Sequence, residues 1–360
     1  MKVLSVSGKF LSQPTTGVQR YAAGIVSAWD QGLEEGWIDR GKFTIRLIVP
    51  HTLIQQPNYK HVTIEPGATN GRTWEQIELP WKARGTLLFS PYAAAPLLKL
   101  RHTVTIHDAA AAASPEQYTA SFRVYCAVVF RSLGFMCNPI FTVSEFSSHE
   151  LQRYFSIPPE KIRVVYPGCD HLADIPPDDK ILKRAGLETG KFVLAVSSQS
   201  TVKNFHGLSQ AWAMLRRLDM KLAIAGRNHT ALFRDGNESI TENVVMLGYV
   251  SDPELRSLYE NASLFVYPSF YEGFGIPPVE AMSCGCPVLV ARIPSLMEAC
   301  GDAAVFCDPA DISDIAENIA RLLDDSALAK RLRESGFRRA SQLTAARTAA
   351  TLWSEIQSFI

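Results

Sequence analysis

The chain has 360 residues, 47% hydrophobic and 20% charged, which is enough apolar material for two globular cores and too much for a disordered polymer. Lysine plus arginine and aspartate plus glutamate stand at 36 each, so net charge gives no reason to expect nucleic acid as a partner. No apolar run reaches the roughly 18 residues a membrane-spanning helix requires.

In chain order, the opening MKVLSVSG is too short in its apolar part for a signal peptide and reads as a first buried strand over residues 3–6. A helical pattern follows over 18–29. Further strands are expected at 43–49, 87–90, 104–107, 140–143 and 164–166, with helices at 122–133 and 147–155. Strands alternating with helices predict an α/β fold with mainly parallel sheets. Residues 167–180, PGCDHLADIPPDDK, are dense in proline and aspartate and read as a linker. The alternation then restarts. Strands are expected at 192–196, 221–225, 244–247, 264–267, 287–291 and 305–306. Helices are expected at 205–218, 252–261, 277–284, 312–324 and 326–341, with a last helical segment over 343–360. The expected domains are 1–170 and 180–345, with 346–360 returning to the first. The seven cysteines (126, 137, 169, 284, 286, 300 and 307) are scattered and odd in number, and are expected to be reduced, mostly buried thiols of a cytoplasmic protein.

The segment Tyr271-Glu272-Gly273-Phe274-Gly275-Ile276-Pro277-Pro278-Val279-Glu280 is the most informative. It follows a strand, carries two glycines, and places two prolines where a helix would begin, with Gly285 positioned to stop that helix. Such a helix start offers backbone N–H groups and the positive end of a dipole to a diphosphate. Glu272 and Glu280 bracket the loop as E-x7-E and could accept hydrogen bonds from hydroxyls on either side of it. A capped helix carrying two solvated glutamates is the plain alternative, and the spacing alone does not decide between them.

Taken together, these residues resemble the retaining GT-B glycosyltransferases of the group-1 class. Leu247-Gly248-Tyr249-Val250-Ser251-Asp252, Leu222-Ala223-Ile224-Ala225-Gly226, Val143-Ser144-Glu145-Phe146-Ser147 and Val165-Tyr166-Pro167-Gly168 are similar to other segments of that family. The resemblance implies two Rossmann-like domains facing a cleft, with the donor nucleotide sugar in the second and the acceptor side in the first. It implies that Glu280 holds ribose hydroxyls and that Glu272 holds the transferred sugar rather than forming a covalent bond to it. Backbone near Phe274, Gly275 and Ile276 would touch sugar or phosphate, with Tyr249 and Val250 also on the donor side.

Lys203, before Asn204, would stabilise the leaving diphosphate. An arginine often found earlier in the family is replaced by Ser197, Ser198 and Gln199, and Val202 stands where another often occurs, so Arg227 is the candidate to supply the missing charge. In the first domain Gly17 is similar to part of a glycine loop approaching the donor phosphate, with Arg20 beyond it. His107, before Asp108, would contact the donor sugar, and Ser90-Pro91-Tyr92 would line the acceptor side.

The absence of Asp-x-Asp, H-E-x-x-H or a Cys/His cluster predicts transfer with no metal or other cofactor. GDP-mannose is the expected donor and a saccharide or lipid-linked saccharide the expected acceptor, as in polysaccharide or O-antigen synthesis. Rhamnosyl or glucosyl transfer from dTDP- or UDP-sugars, a sugar-nucleotide epimerase and a non-catalytic binder are the alternatives. A nicotinamide dehydrogenase fits poorly, because Ser7-Gly8-Lys9-Phe10 is not the expected dinucleotide fingerprint. A lipid-linked acceptor would bring peripheral contact with the inner face of a membrane, for which Lys99, Arg101, Arg123 and Arg131 are candidates.

Overall fold

A computed structural model describes residues 1–196, 201–217, 219–226 and 243–360. The chain divides into two compact units, Met1–Gly168 with Leu343–Ile360, and Cys169–Gln342.

The first unit is built on a seven-stranded sheet in the order β3-β2-β1-β4-β5-β6-β7, every pairing parallel. Its strands are β1 (Lys2–Ser7), β2 (Phe43–Val49), β3 (Thr63–Pro66), β4 (Leu87–Ser90), β5 (His102–Thr105), β6 (Ile140–Thr142) and β7 (Ile162–Val164). The central strands are short runs of Val, Ile, Leu and Phe because both faces are covered by helices. Leu4, Val6, Leu88 and Phe89 are fully buried. The helix Gly17–Glu35 lays Ile25, Val26 and Trp29 on one face of the sheet. Against the same core packs the last helix, Ala345–Ile356, through Leu352, Trp353 and Ile356, and the Trp29 indole N–H donates to the Ala349 carbonyl at 2.9 Å.

The second unit holds a six-stranded parallel sheet in the order β10-β9-β8-β11-β12-β13. Its strands are β8 (Phe192–Val196), β9 (Lys221–Ala225), β10 (Val244–Gly248), β11 (Leu264–Tyr267), β12 (Val288–Ala291) and β13 (Val305–Cys307). In each sheet the chain builds outward in one direction, returns to the middle and builds outward in the other. The order therefore reverses between β1 and β4 in the first unit and between β8 and β11 in the second.

Several elements depart from expectation. β5 begins at His102 and ends at Thr105, two residues earlier than the apolar run suggests. His102, Thr103 and Thr105 are polar yet buried, and each has a side-chain bond: His102 Nε2 lies 3.0 Å from Ser90 Oγ, Thr103 Oγ1 donates to the Pro139 carbonyl at 2.7 Å, and Thr105 Oγ1 lies 3.3 Å from the Tyr21 hydroxyl, while His102 Nδ1 is left unpaired. His107 consequently stands in the loop beyond the strand. β7 is shifted in the same direction, to Ile162–Val164. β3 is an edge strand of four residues with a mostly exposed or half-buried surface, which gives it no apolar signature. Residues 71–82 form an unpredicted helix that is π-helical over Trp74–Glu78, with Pro80 inside its last turn. Another unpredicted helix, Pro294–Cys300, lies after β12.

Residues 169–175, read from composition as linker, are held in the second unit. Cys169 and Leu172 are buried, and Arg256 Nη1 donates to the carbonyls of Leu172, Ala173 and Ile175 at 3.0, 2.6 and 2.7 Å. All seven cysteines are free thiols, six of them buried and Cys284 half-buried.

Candidate active site

In an open parallel sheet, ligands bind beyond the carboxyl ends of the strands where the strand order reverses. In the second unit that point lies between β8 and β11, and the loops leaving these two strands carry Lys203 and Glu272. Lys203 Nζ donates to Glu272 Oε1 at 2.5 Å and to the Tyr267 hydroxyl at 2.6 Å, with its ammonium 5.0 Å from the centre of the Tyr267 ring. The two charged side chains are only 19% and 12% exposed. Burial disfavours the charged ammonium, but the adjacent Glu272 carboxylate and Tyr267 outweigh it and hold the Lys203 pKa well above the usual lysine range. Burial, and then the same carboxylate, push the Tyr267 phenol up.

Local structure fixes this pair. Asn204 adopts a left-handed backbone conformation, φ 53°, caps the helix Phe205–Leu215 by accepting from the Gly207 N–H at 3.3 Å, and donates to the Pro309 carbonyl at 2.6 Å. The Phe270 N–H donates to the Val202 carbonyl at 2.7 Å, which joins the β11 loop to the segment carrying Lys203. Gly275 has φ 109°, a backbone conformation that strains any other residue, and a Cβ there would also press on the Leu296 side chain, 2.3 Å from its Cδ2. The helix Ile276–Ser283 starts immediately after it. Pro277 and Pro278 contribute no N–H, which concentrates the donors of this helix start on Gly275 and Ile276. Gly285, at φ 75°, lies just beyond the helix end. Phe274 is buried beside this turn.

Glu280, inside that helix, is 6% exposed. It accepts from the Tyr259 hydroxyl at 3.2 Å and lies 3.5 Å from His171 Nε2. Tyr249 and Val250 follow Gly248 at the end of the outer strand β10, where Tyr249 is exposed and Val250 half-buried. The sequence-predicted site residues Lys203 and Glu272 are thus brought together, whereas Glu280 is engaged by Tyr259 and His171. Tyr267 and His171 were missed. Tyr267 is the last residue of an apolar strand and gives no signal of its hydroxyl's role, and His171 sits in the segment read as linker. Arg227, Ser197, Ser198 and Gln199 lie outside the described residues.

In the first unit Gly17 opens the helix Gly17–Glu35, preceded by Thr16, whose N–H donates to Gln19 Oε1 at 3.2 Å; Arg20 is half-buried in its first turn. Tyr21 of the same helix meets the His107 ring edge-on, with centroids 4.7 Å apart. His107 Nε2 lies 3.2 Å from the Pro91 carbonyl, which ties the loop after β5 to Ser90-Pro91-Tyr92 after β4. Burial pushes the His107 pKa down to about 4, against the opposing pull of that carbonyl, so the ring is neutral near pH 7.

Of the proposed membrane-facing cations, Lys99 is corrected. It is 7% exposed and its ammonium donates to the Thr86 and Leu100 carbonyls, because a buried amine must satisfy its donors internally. Arg101 is exposed but donates through Nη2 to the Phe359 carbonyl at 2.9 Å. Arg123 and Arg131 are exposed on the helix Ala120–Met136. Among the described residues no group of three or more His, Cys, Asp or Glu is placed to hold a metal ion, and no helix is long and apolar enough to cross a membrane.

Two parallel α/β units, with a lysine–glutamate pair and a glycine-led helix start at the reversal of the second sheet, have the architecture of the GT-B fold, and comparison with known proteins gives the family. Residues 178–339 match the profile of the Glycosyl transferases group 1 family, and residues 83–171 that of Glycosyltransferase Family 4. The O-antigen chain mannosyltransferase B of Escherichia coli is 31% identical over 260 residues, covering 68% of this chain and 67% of that protein. The O-antigen chain mannosyltransferase RfbU of Salmonella typhimurium is 31% identical over 224 residues, covering 60% and 59%. The Anabaena protein HepE, solved with UDP and glucose, superimposes with a TM-score of 0.73 at 18% identity over the whole of both chains. The chain belongs to the group-1 glycosyltransferases and is a glycosyltransferase.

Proposed function

We propose that this glycosyltransferase moves mannose from GDP-mannose to a saccharide or lipid-linked saccharide, with retention at the anomeric carbon and without a metal. The observation that carries the reading is the buried Lys203–Glu272 pair, bound also to Tyr267, at the β8/β11 reversal next to the glycine-led helix start. Two cationic devices lie on the loops leaving these strands, an ammonium and the positive end of a helix. These can offset a diphosphate's charge without a divalent ion. Donor binding then exchanges partners. Lys203 turns to the departing phosphate, and Glu272 turns to hydroxyls of the transferred sugar. Glu280, anchored by Tyr259, takes ribose hydroxyls. The acceptor oxygen attacks the anomeric carbon from the side on which the diphosphate leaves, and a phosphate oxygen receives the acceptor's proton. Two mannosyltransferases among the relatives, both named for O-antigen chains, support mannose and polysaccharide assembly.

The reading is tested by thermal shift with GDP-mannose, UDP-glucose, dTDP-rhamnose and an ADP-sugar, since a ligand of the folded state raises the melting temperature. GDP-mannose should give the largest rise, and a larger rise with UDP-glucose or dTDP-rhamnose would overturn the donor assignment. Proton NMR of the first product formed should show the donor's anomeric configuration; an inverted product would overturn retention.

Contact with a membrane belongs to the same reading. On the helix Ala120–Met136, Val124, Val128 and Phe135 are 63%, 55% and 81% exposed, at spacings that align them with Arg131. An apolar stripe edged by arginine suits the surface of an anionic bilayer, where a lipid-linked acceptor would reside. Val128→Asp should abolish co-sedimentation with vesicles containing phosphatidylglycerol; undiminished co-sedimentation would remove this face from the proposal.

A further inference from the structure

The reversal point of the first sheet carries a second lysine–glutamate pair. Lys9 follows β1, Tyr92 follows β4, and these are the two strands between which the order reverses. Lys9 Nζ bonds to Glu75 Oε2, with the two side chains only 16% and 3% exposed. Glu75 sits on the π-helical turn Trp74–Glu78, a geometry that often marks functional sites. Its other oxygen accepts from Gln76 Nε2 at 2.8 Å. The Tyr92 hydroxyl donates to Gln13 Oε1 at 2.7 Å, and Gln13 Oε1 also accepts from Gln19 Nε2 at 3.1 Å. Burial and then the Glu75 charge push the Tyr92 phenol up, and the same two causes, in the same order, raise Tyr125. Arg72 lies 4.5 Å above the Tyr125 ring. A buried lysine–glutamate pair thus stands at the reversal of each sheet: Lys203–Glu272 in one, with Tyr267 bonded to the lysine, and Lys9–Glu75 in the other. Glu75 is brought in by the 71–82 helix, and Tyr92, on the loop after β4, is bonded to Gln13.

A buried ion pair contributes little net stability, because losing water costs both charges about what their attraction returns. Packing therefore gives a weak account of why two such pairs occupy the two places where open sheets bind ligands. We propose that Lys9, Glu75 and Tyr92 form the subsite for the acceptor, and that its ligand is an uncharged, polyhydroxylated sugar ring. The inference rests on the glycosyltransferase reading and adds the residues and the chemical class. Glu75 already offsets the Lys9 charge, so the pair has no surplus with which to select a phosphate or carboxylate. Neighbouring hydroxyls of a sugar suit it: one donates to the carboxylate while its neighbour accepts from the ammonium. The tie between His107 and the Pro91 carbonyl sets the position of the Tyr92 loop.

The test uses the full chain with GDP-mannose as donor and n-octyl α-D-mannopyranoside and n-octyl N-acetyl-β-D-glucosaminide as acceptor probes. Saturation-transfer NMR measures probe binding, steady-state kinetics the acceptor KM, and calorimetry the donor Kd without acceptor. The wild type should bind at least one probe saturably. Glu75→Gln and Lys9→Met should weaken that binding about tenfold or more, the loss expected for a hydrogen bond to a charged group. Tyr92→Phe removes one oxygen, keeps the ring, and should weaken probe binding less. It provides the reading if the charge variants fail to fold. The donor Kd should stay unchanged throughout. Unchanged probe binding and acceptor KM in folded variants would overturn the proposal, as would a wild type that binds neither probe. Failure of the wild type to bind any nucleotide sugar would instead reject the transferase reading itself, whatever the glycosides do.

Discussion

At the scale of single residues, Lys203 is the most exposed to test. Its ammonium is held by Glu272 and Tyr267, which fixes its position on the segment after β8. Lys203→Ala should lower kcat about 100-fold or more, the loss typical of a preorganised group facing transition-state charge. The donor KM should change much less. Turnover near the wild-type value in a correctly folded variant would remove Lys203 from the leaving-group role. The same buried pair gives a stability prediction: Glu272→Ala leaves the ammonium uncompensated and should cost about 3 kcal/mol in urea unfolding.

Histidines give a second residue-scale prediction. Burial depresses His107 to about 4, and burial, with Lys99 nearby, depresses His102 to about 3. Unfolded histidine titrates near 6.5, so below that pH the unfolded chain binds protons that the folded chain refuses. Stability is therefore fully present above about pH 6.5 and is lost as pH falls toward the folded values. For His107 alone the loss amounts to about 3 kcal/mol by pH 4. The urea midpoint should fall between pH 7 and pH 5, and fall less steeply in His107→Gln. A midpoint indifferent to pH over that window would contradict the burial of both rings.

At the scale of elements, caps and strand edges decide what could be read from sequence. The helix Ile276–Ser283 was legible because its signals are local: a glycine before it, prolines in its first turn and a glycine beyond its end. The alternation of strands and helices was legible for the same reason, since each period is written in neighbouring residues. β5 was misplaced because its polar residues are paid for by bonds to Ser90 and Pro139, far away in sequence. The helix over 71–82, with its π-turn and internal proline, follows no period that a sequence pattern detects. Glu75 was hidden with it. Lys203 and Glu272 were each legible, but their pairing across 69 positions follows from the adjacency of β8 and β11, a property of the sheet. Asn204 offers an element-scale test. It caps the helix Phe205–Leu215 and ties it to Pro309 from a left-handed conformation that asparagine tolerates. Asn204→Ala loses both bonds and the tolerated backbone, and should destabilise the second unit by about 2 kcal/mol. Asn204→Gly restores the backbone freedom and should recover part of that loss.

At the scale of the whole molecule, chain order and spatial order differ. The chain completes the second unit at Gln342 and then supplies Leu343–Ile360 to the first. The helix Ala345–Ile356 closes a core begun three hundred residues earlier: Trp353 lies edge-on to Trp29 and to Phe43, with centroids 5.9 and 5.1 Å apart, and Leu352 and Ile356 are fully buried. At the crossing, Gly168 meets the start of that segment so closely that a Cβ would lie 2.2 Å from the Ala345 nitrogen, and Thr348 Oγ1 donates to the Tyr166 carbonyl at 2.7 Å. The first unit is therefore incomplete until the last residues are made. Trp353→Ala removes a buried indole and should cost about 3–5 kcal/mol. That cost should appear in the first unit, read from hydrogen exchange at β1 and β2, while β8 and β11 keep their protection. Loss of protection in the second unit to the same extent would mean that the two units unfold as one, and the terminal helix would then report on the whole chain rather than on the core it completes.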